Sequence, residues 1–184
     1  MSTAPSPRRC ALPTITSDRL IQLLDQFISE SNQPLDILLV GALALQAYGY
    51  HDRYTQDIDA EISGPLDPLV RFLDARHIPA DLTQDISGWS VVAMPPGYKE
   101  RTSDLVRSEN LRVRLLSPVD FIIAKLRRGT DLDHEDAMFV AKRFGVPASA
   151  VRDAAAAAVA ASRQDTALFL FNKTVDLFCR NLGA

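Results

Sequence analysis

Three carboxylates alternate with apolar residues over a short stretch of this 184-residue chain: Asp57, Asp59 and Glu61. On a β-strand, side chains two positions apart lie on the same face, so these acids are predicted to face outward together. Like charges at this spacing repel one another unless a cation lies between them. Mg²⁺ prefers hard oxygen ligands and binds through one or two carboxylates plus substrate phosphates. The pattern therefore predicts a Mg²⁺ or Mn²⁺ site at Asp57 and Asp59.

The same alternation is also typical of an exposed edge strand, whose charged side chains discourage aggregation. Gly41 favours the chemical interpretation, because it joins an apolar run to a short run of helix formers upstream of the acids. A glycine at such a junction lets a phosphate approach the backbone, and the helix that follows presents free N–H groups to an anion. A phosphate cradle beside metal-binding carboxylates indicates a site for a nucleoside triphosphate.

The elements that position these residues follow from hydrophobic periodicity, which predicts an α/β fold with a helical tail. Short apolar or alternating runs predict strands at Leu35–Val40, Thr55–Ile62, Trp89–Met94 and Leu111–Leu116. Helical spacing and capping residues predict helices from Ser17 to a stop at 32–34, and at Ala42–Tyr48, Leu66–Arg76 and Pro118–Arg127. Three more helices are predicted after these: one from a cap at Asp131 or Asp133 to Gly145, one at 148–162, and one with an apolar stripe from Leu168 to Leu182. Residues 1–16 are rich in proline and are predicted to form a flexible leader.

Composition excludes several classes of protein. The 20 Lys and Arg residues nearly balance the 23 Asp and Glu residues, which excludes a nucleic-acid-binding surface that covers the whole molecule. Cys10 and Cys179 belong to no C-x-x-C pair, so neither a disulfide framework nor a structural zinc site is expected. No apolar run is long enough to cross a bilayer. These features predict a cytoplasmic protein with no membrane partner.

The arrangement of motifs resembles the signature of the DNA polymerase beta-like nucleotidyltransferase superfamily, which is an apolar strand, Gly-Gly or Gly-Ser, a short helix and an acid-x-acid strand. The matching pieces are Val40-Gly41-Ala42 and Thr55-x-Asp57-Ile58-Asp59. Further motifs narrow the resemblance to a bacterial group of uncharacterised nucleotidyltransferase-like proteins, over roughly residues 35–145. These are Pro96-Gly97-Tyr98-x-x-Arg101, Ser117-Pro118-x-Asp120, and Ala124-Lys125-Leu126 followed by Asp133-x-x-Asp136.

The resemblance implies an α/β (α+β) fold, with a mixed β-sheet flanked by helices in residues 17–145 and C-terminal helices in 146–184 packed on it. It also implies metal-dependent transfer of a nucleoside monophosphate from a nucleoside triphosphate to a tRNA end, a protein hydroxyl or a small molecule. Stand-alone members of the superfamily include toxins of toxin–antitoxin pairs and antibiotic-modifying enzymes. The alternative is a catalytically degenerate protein of this fold that senses a nucleotide or binds a partner, either a cognate protein or a second copy of the chain.

Site residues are carried over position by position from the resemblance. The catalytic set is Asp57, Asp59, Glu61 and Lys125, and the nucleotide-binding set is Gly41, Ala42, Thr55, Arg101 and Arg128. Two departures from the pattern favour the degenerate alternative. Ala42 lacks the hydroxyl of a serine, and the predicted strands after residue 62 carry no third acid. Glu61 is expected to take that role, ahead of Asp85 and Asp104, which fall in predicted loops.

Basic residues cluster in 97–128, where Lys125 and Arg128 are predicted to lie about one helical turn apart. If this cluster faces the acidic strand, it is expected to clamp a triphosphate or guide an acceptor nucleic acid. The alternative is ordinary ion pairing within the domain. Likewise, Asp133 and Asp136 are interpreted as helix-capping acids or as acids that approach Lys125.

Overall fold

The structure, a computed structural model that describes residues 14–183, is built on a mixed sheet, as predicted, and this sheet has five strands. The strands are β1 (Leu35–Leu39), β2 (Ile58–Ser63), β3 (Ala80–Thr83), β4 (Ser103–Arg107) and β5 (Leu111–Leu115), in the order β3-β2-β1-β5-β4. β1 pairs antiparallel with β2 and parallel with β5. β3 runs parallel to β2, and β4 runs antiparallel to β5. The central strand β1 is the apolar run of the sequence, and its Ile37, Leu38 and Leu39 are fully buried.

Within residues 14–183, seven α-helices accompany the sheet, and the last of them form the C-terminal part of the fold. They are α1 (Ser17–Ser31), α2 (Ala42–Ala47), α3 (Leu66–Asp74), α4 (Pro118–Arg128), α5 (Asp131–Phe144), α6 (Ala148–Ala161) and α7 (Ala167–Leu182). The cap of α5 corrects a prediction: the helix begins after Thr130, and neither Asp131 nor Asp133 is its N-cap. The Thr130 hydroxyl accepts from the Asp133 N–H and the Asp133 carboxylate accepts from the Thr130 N–H, which forms a capping box.

The predicted strand at Trp89–Met94 is wrong. A 3-10 helix spans Ile86–Trp89, and the residues after it form no strand. Side chains there take the place of a neighbouring strand: the N–H of Ala93 donates to the Ser162 hydroxyl, and the carbonyl of Val92 accepts from Arg127. Because the backbone groups are satisfied in this way, an apolar run does not need to join the sheet.

Two short strands that the periodicity did not predict, β3 and β4, form the two edges of the sheet. Both are short, mix polar with apolar residues and have no buried residue, so they carry little hydrophobic signal. The predicted strand Thr55–Ile62 is shorter at its start, since β2 begins at Ile58. Thr55 instead makes an isolated bridge with Ile15.

The predicted flexible leader and the predicted C-terminal helices have different outcomes. Residues 1–13 of the predicted leader lie outside the described residues, but residues 14–16 do not fit a flexible leader. Ile15 is buried and donates its N–H to the Thr55 carbonyl at 2.9 Å, and Thr16 caps α1. At the other end, α6 and α7 pack on each other and on α4. No helix within residues 14–183 has the length and apolarity needed to cross a membrane.

Candidate active site

The glycine and the acids that the sequence singles out meet where β1 ends and β2 begins. Because β2 is antiparallel to β1, the end of β1 meets the start of β2, and the Val40 N–H donates to the Asp59 carbonyl at 3.1 Å. Because β3 is parallel to β2, Asp81 lies beside Asp59 in register. Gly41, Asp59 and Asp81 therefore converge at this point.

The carboxylate of Asp59 packs directly against the backbone of Gly41. A Cβ atom built on Gly41 would lie 1.8 Å from Oδ2 of Asp59 and 2.7 Å from its Cγ, so only glycine leaves room for the acid in this position. Gly41 also precedes α2 as its N-cap residue. The requirement for glycine thus arises from the neighbouring strand.

Gly41→Ala is expected to displace Asp59 and to destabilise the fold by about 1–3 kcal/mol through overpacking. Chemical denaturation of the variant measures this loss. Gly88→Ala is the matched control, because a Cβ there meets nothing within 4 Å. Equal stability of the two alanine variants would contradict the contact between Gly41 and Asp59.

Asp59 opens into a cavity of about 320 Å³, within the range of small-molecule sites. Its acidic wall consists of Gly41, Asp59 and Asp81, and its basic wall of Lys125, Arg127 and Arg128. Ile86, Trp89 and Ser90 line it from the segment that follows β3. The cavity therefore brings Asp59 and part of the basic cluster to one site, as one of the two sequence interpretations requires. The other interpretation also holds, because Lys125 and Arg128 form ion pairs with Asp136 and Asp133 within the domain.

Asp59 is held in an environment that penalises its charge. Burial raises the pKa of Asp59 above its ordinary value, and the negative charges of Asp57 and Asp81 raise it further. The positive charges of Lys125 and Arg128 act in the opposite direction without cancelling the rise. A cation placed beside Asp59 would relieve this excess of negative charge.

Asp57 and Thr55 form the outer part of the acidic strand. The Thr55 hydroxyl donates a hydrogen bond to the Asp57 carboxylate, and both residues line a second hollow that shares no lining residue with the cavity. Asp57 is exposed and precedes β2, while Asp59 lies within the strand and is partly buried. The charge of Asp57 nevertheless acts on Asp59, so the structure brings the predicted acid pair close together.

Glu61 does not face outward with the other acids. Its side chain is fully buried, and its carboxylate accepts from the Tyr98 hydroxyl at 2.5 Å and from the Ile86 N–H at 3.0 Å. Its second oxygen lies 2.7 Å from Nζ of Lys99. The prediction of an open acidic face is therefore wrong at this position, because residues 86–99 cover the strand there.

Lys125 lies in a buried ion cluster with Asp133, Asp136, Arg128 and Arg53. Its Nζ is 2.8 Å from Oδ2 of Asp136 and 3.5 Å from Oδ1 of Asp133. Arg128 donates two hydrogen bonds to Asp133, at 2.7 and 2.5 Å, and Nε of Arg53 lies 3.4 Å from Asp136. Both interpretations of the two acids are thus realised, because Asp133 completes the α5 cap and both acids contact Lys125.

The change in the free energy of unfolding at low pH tests the ion pairing of Asp133. Burial alone would raise its pKa, but hydrogen bonds from Arg128 and Thr130, with the charges of Arg128 and Lys125, lower it to about 2. Ionised Asp133 therefore stabilises the fold above about pH 4, the ordinary aspartate pKa, and this contribution is lost as the pH falls to about 2.

In urea unfolding, we expect the stability advantage of the wild type over Asp133→Asn to be constant above about pH 4 and to shrink toward about pH 2. Asp131→Asn, at an exposed position of the same helix, serves as the control. A wild-type advantage that does not change with pH would contradict the ion pair between Asp133 and Arg128.

Two of the predicted nucleotide-binding residues, Arg101 and Ala42, are not among the residues that line the cavity. Arg101 does not line the cavity: its guanidinium donates two hydrogen bonds to buried Asp120, at 2.9 and 2.8 Å, and a third to the Pro96 carbonyl. Ala42 is the first residue of α2, directly after Gly41, and is partly buried. Among the residues predicted to bind the nucleotide, the cavity includes Gly41 and Arg128.

Asp81 is a candidate that the sequence interpretation missed. It lies on the polar edge strand β3, where no strand was predicted, and it lines the cavity beside Asp59. The available signal was a lone acid between Ala80 and Leu82, which periodicity does not distinguish from a loop. Within residues 14–183, no set of three or more His, Cys, Asp and Glu side chains is arranged to hold a metal ion by itself.

Comparison with known proteins gives the family of the chain. No curated protein matches it. It is similar in fold to an antigenic nucleotidyltransferase-like protein from Paracoccidioides brasiliensis, with 15% identity and a TM-score of 0.47 over 86% of this chain and 100% of that chain. The model of a family described as nucleotidyltransferase of unknown function matches residues 18–142, which include both walls of the cavity. The chain therefore belongs to this nucleotidyltransferase family, DUF6036.

Proposed function

We propose that the chain transfers a nucleoside monophosphate from a nucleoside triphosphate to a hydroxyl acceptor on RNA, on a protein or on a small molecule. The observation that carries the proposal is the contact between the Asp59 carboxylate and Gly41, in a cavity whose opposite wall contains Lys125 and Arg128. A partly buried acid at raised pKa that shares a cavity with two cations is suited to a ligand that brings both phosphates and a cation.

The donor set fits Mg²⁺ or Mn²⁺. The carboxylates of Asp57 and Asp59 would hold the ion, and substrate phosphates would complete its coordination, as is usual for Mg²⁺. The raised pKa of Asp59 supports this assignment, because burial and the charges of Asp57 and Asp81 leave its carboxylate short of positive charge. When bound, the ion neutralises phosphate charge and lowers the pKa of an attacking hydroxyl.

The remaining residues of the cavity have positioning and electrostatic roles in this proposal. Arg128 uses two of its five N–H donors on Asp133, and its partly exposed guanidinium contacts the phosphates with the others. Lys125 adds a second positive charge on the same wall. In the transfer, the acceptor oxygen bonds to the α-phosphorus, its proton passes to the Asp81 carboxylate, and pyrophosphate leaves.

The alternative, a protein of this fold that binds a nucleotide or a partner without catalysis, is favoured by one specific observation. Glu61, the acid expected to complete the catalytic set, is held by Tyr98 and Lys99 away from the cavity. In this alternative the cavity binds the nucleotide and Asp81 transfers no proton.

Transfer from α-labelled and γ-labelled nucleoside triphosphates distinguishes the two functions. With Mg²⁺ and fractionated RNA, protein and small molecules as acceptors, we expect α-label and no γ-label to enter a product. Asp59→Asn is expected to slow this transfer by roughly 10²–10³-fold. Nucleotide binding without α-label transfer to any fraction would reject the enzyme and favour the binding module.

A further inference from the structure

The cavity contains one large flat apolar surface, the indole of Trp89. Trp89 is the single tryptophan of the sequence and, within the described part of the chain, the one aromatic residue that lines the cavity. It is 39% exposed, although burying such a side chain fully would normally stabilise the fold. An exposed indole beside two cationic side chains matches a ligand that carries an aromatic ring and an anionic group.

Trp89 is held in place by its backbone. It ends the 3-10 helix Ile86–Trp89, whose first residue is buried and donates its N–H to Glu61 at 3.0 Å. The Arg127 side chain donates three hydrogen bonds to backbone carbonyls on both sides of Trp89. They go to Ile86 at 3.1 Å, Ser87 at 2.9 Å and Val92 at 2.6 Å. A surface fixed in this way loses little conformational entropy when a ligand binds.

We infer that Trp89 stacks on the nucleobase, and that the cavity takes purine nucleoside triphosphates in preference to pyrimidine ones. The inference rests on the proposed function, because Lys125 and Arg128 must hold the phosphates for the base to reach the indole. Every base has a π-face, so stacking alone does not read base identity, but a purine covers more of the indole than a pyrimidine does. Arg127 is a positioning residue, since it acts on the base through the backbone around Trp89.

The single tryptophan makes the test direct, because the fluorescence of the whole chain reports on residue 89. We expect MgATP and MgGTP to change this fluorescence, and to bind several-fold more tightly than MgCTP and MgUTP. In calorimetry, Trp89→Ala is expected to weaken MgATP binding by about 10-fold or more, and Trp89→Phe by less than about 5-fold. Magnesium tripolyphosphate, which has no base, is expected to bind the wild type and Trp89→Ala equally.

Arg127→Lys provides a second arm, because lysine keeps the positive charge but does not reproduce the planar fork that joins three carbonyls. We expect this variant to weaken MgATP binding by a larger factor than it weakens tripolyphosphate binding. Equal MgATP affinity of Trp89→Ala and wild type, with tripolyphosphate bound by both, would overturn the stacking inference alone. A folded wild type that binds neither ligand would instead reject the proposed function.

Discussion

Asp59→Asn is expected to stabilise the metal-free fold by about 1 kcal/mol and to weaken Mg²⁺-dependent ATP binding by about 100-fold or more. The two effects have one cause. Burial and the charges of Asp57 and Asp81 penalise ionised Asp59, and asparagine removes the charge while keeping the shape. The same charge is what the proposed cation requires, so function is lost as stability is gained.

The pH dependence gives the sign of the stability effect. Because the pKa of Asp59 is raised in the folded state, protonation favours the fold, and the stability of the metal-free protein falls as the pH rises from the ordinary value of about 4 through the raised pKa. This loss is expected to be absent in Asp59→Asn. Asp25→Asn, at an exposed position on α1, is the control. Lower stability of Asp59→Asn than of wild type at neutral pH would contradict the environment described for Asp59.

Lys125→Met is expected to reduce the free energy of unfolding by about 3–5 kcal/mol. Lys125 is almost completely buried, and its ammonium is the closest positive charge to Asp136, at 2.8 Å, with Arg53 at 3.4 Å. Without the ammonium, the fully buried Asp136 carboxylate loses its main partner. Such a loss costs more than the pair itself contributes, because the remaining charge stays desolvated.

A double-mutant cycle separates this pairing from general damage to the core. Lys125→Met combined with Asp136→Asn is expected to recover part of the loss, with a coupling of about 1–3 kcal/mol in chemical denaturation. Lys142→Met, at an exposed position of α5, controls for the change of residue type. A cost below about 1 kcal/mol for Lys125→Met, or additive effects in the cycle, would show that the ion cluster does not stabilise the fold.

The strongest sequence signals belong to residues whose neighbours along the chain decide their structure. The apolar run at β1 and the alternation of Ile58, Ala60 and Ile62 both predict what the structure contains. Gly41 and Asp59 were predicted to belong to one nucleotide site, and the contact between them, which was not predicted, explains why the glycine is needed.

The parts that sequence did not predict depend on contacts distant along the chain. Asp81 joins the site only because β3 pairs with β2, and the four residues Ala80–Thr83 are too short a run to give a periodic signal for that pairing. Glu61 has the same alternation as Asp59, but Tyr98 and Lys99 cover it from a segment more than thirty positions away. The Trp89–Met94 run resembles a strand, yet Arg127 and Ser162 satisfy its backbone.

The central claim is that the cavity between Asp59 and the Lys125–Arg128 wall binds a magnesium nucleoside triphosphate. Calorimetric titration of ATP, GTP, CTP and UTP, with and without Mg²⁺, into wild type and Asp57→Ala/Asp59→Ala tests it most directly. We expect one-to-one binding that requires Mg²⁺ and is lost in a double variant that remains folded. Binding of equal strength in the double variant, or no binding to folded wild type, would contradict the claim.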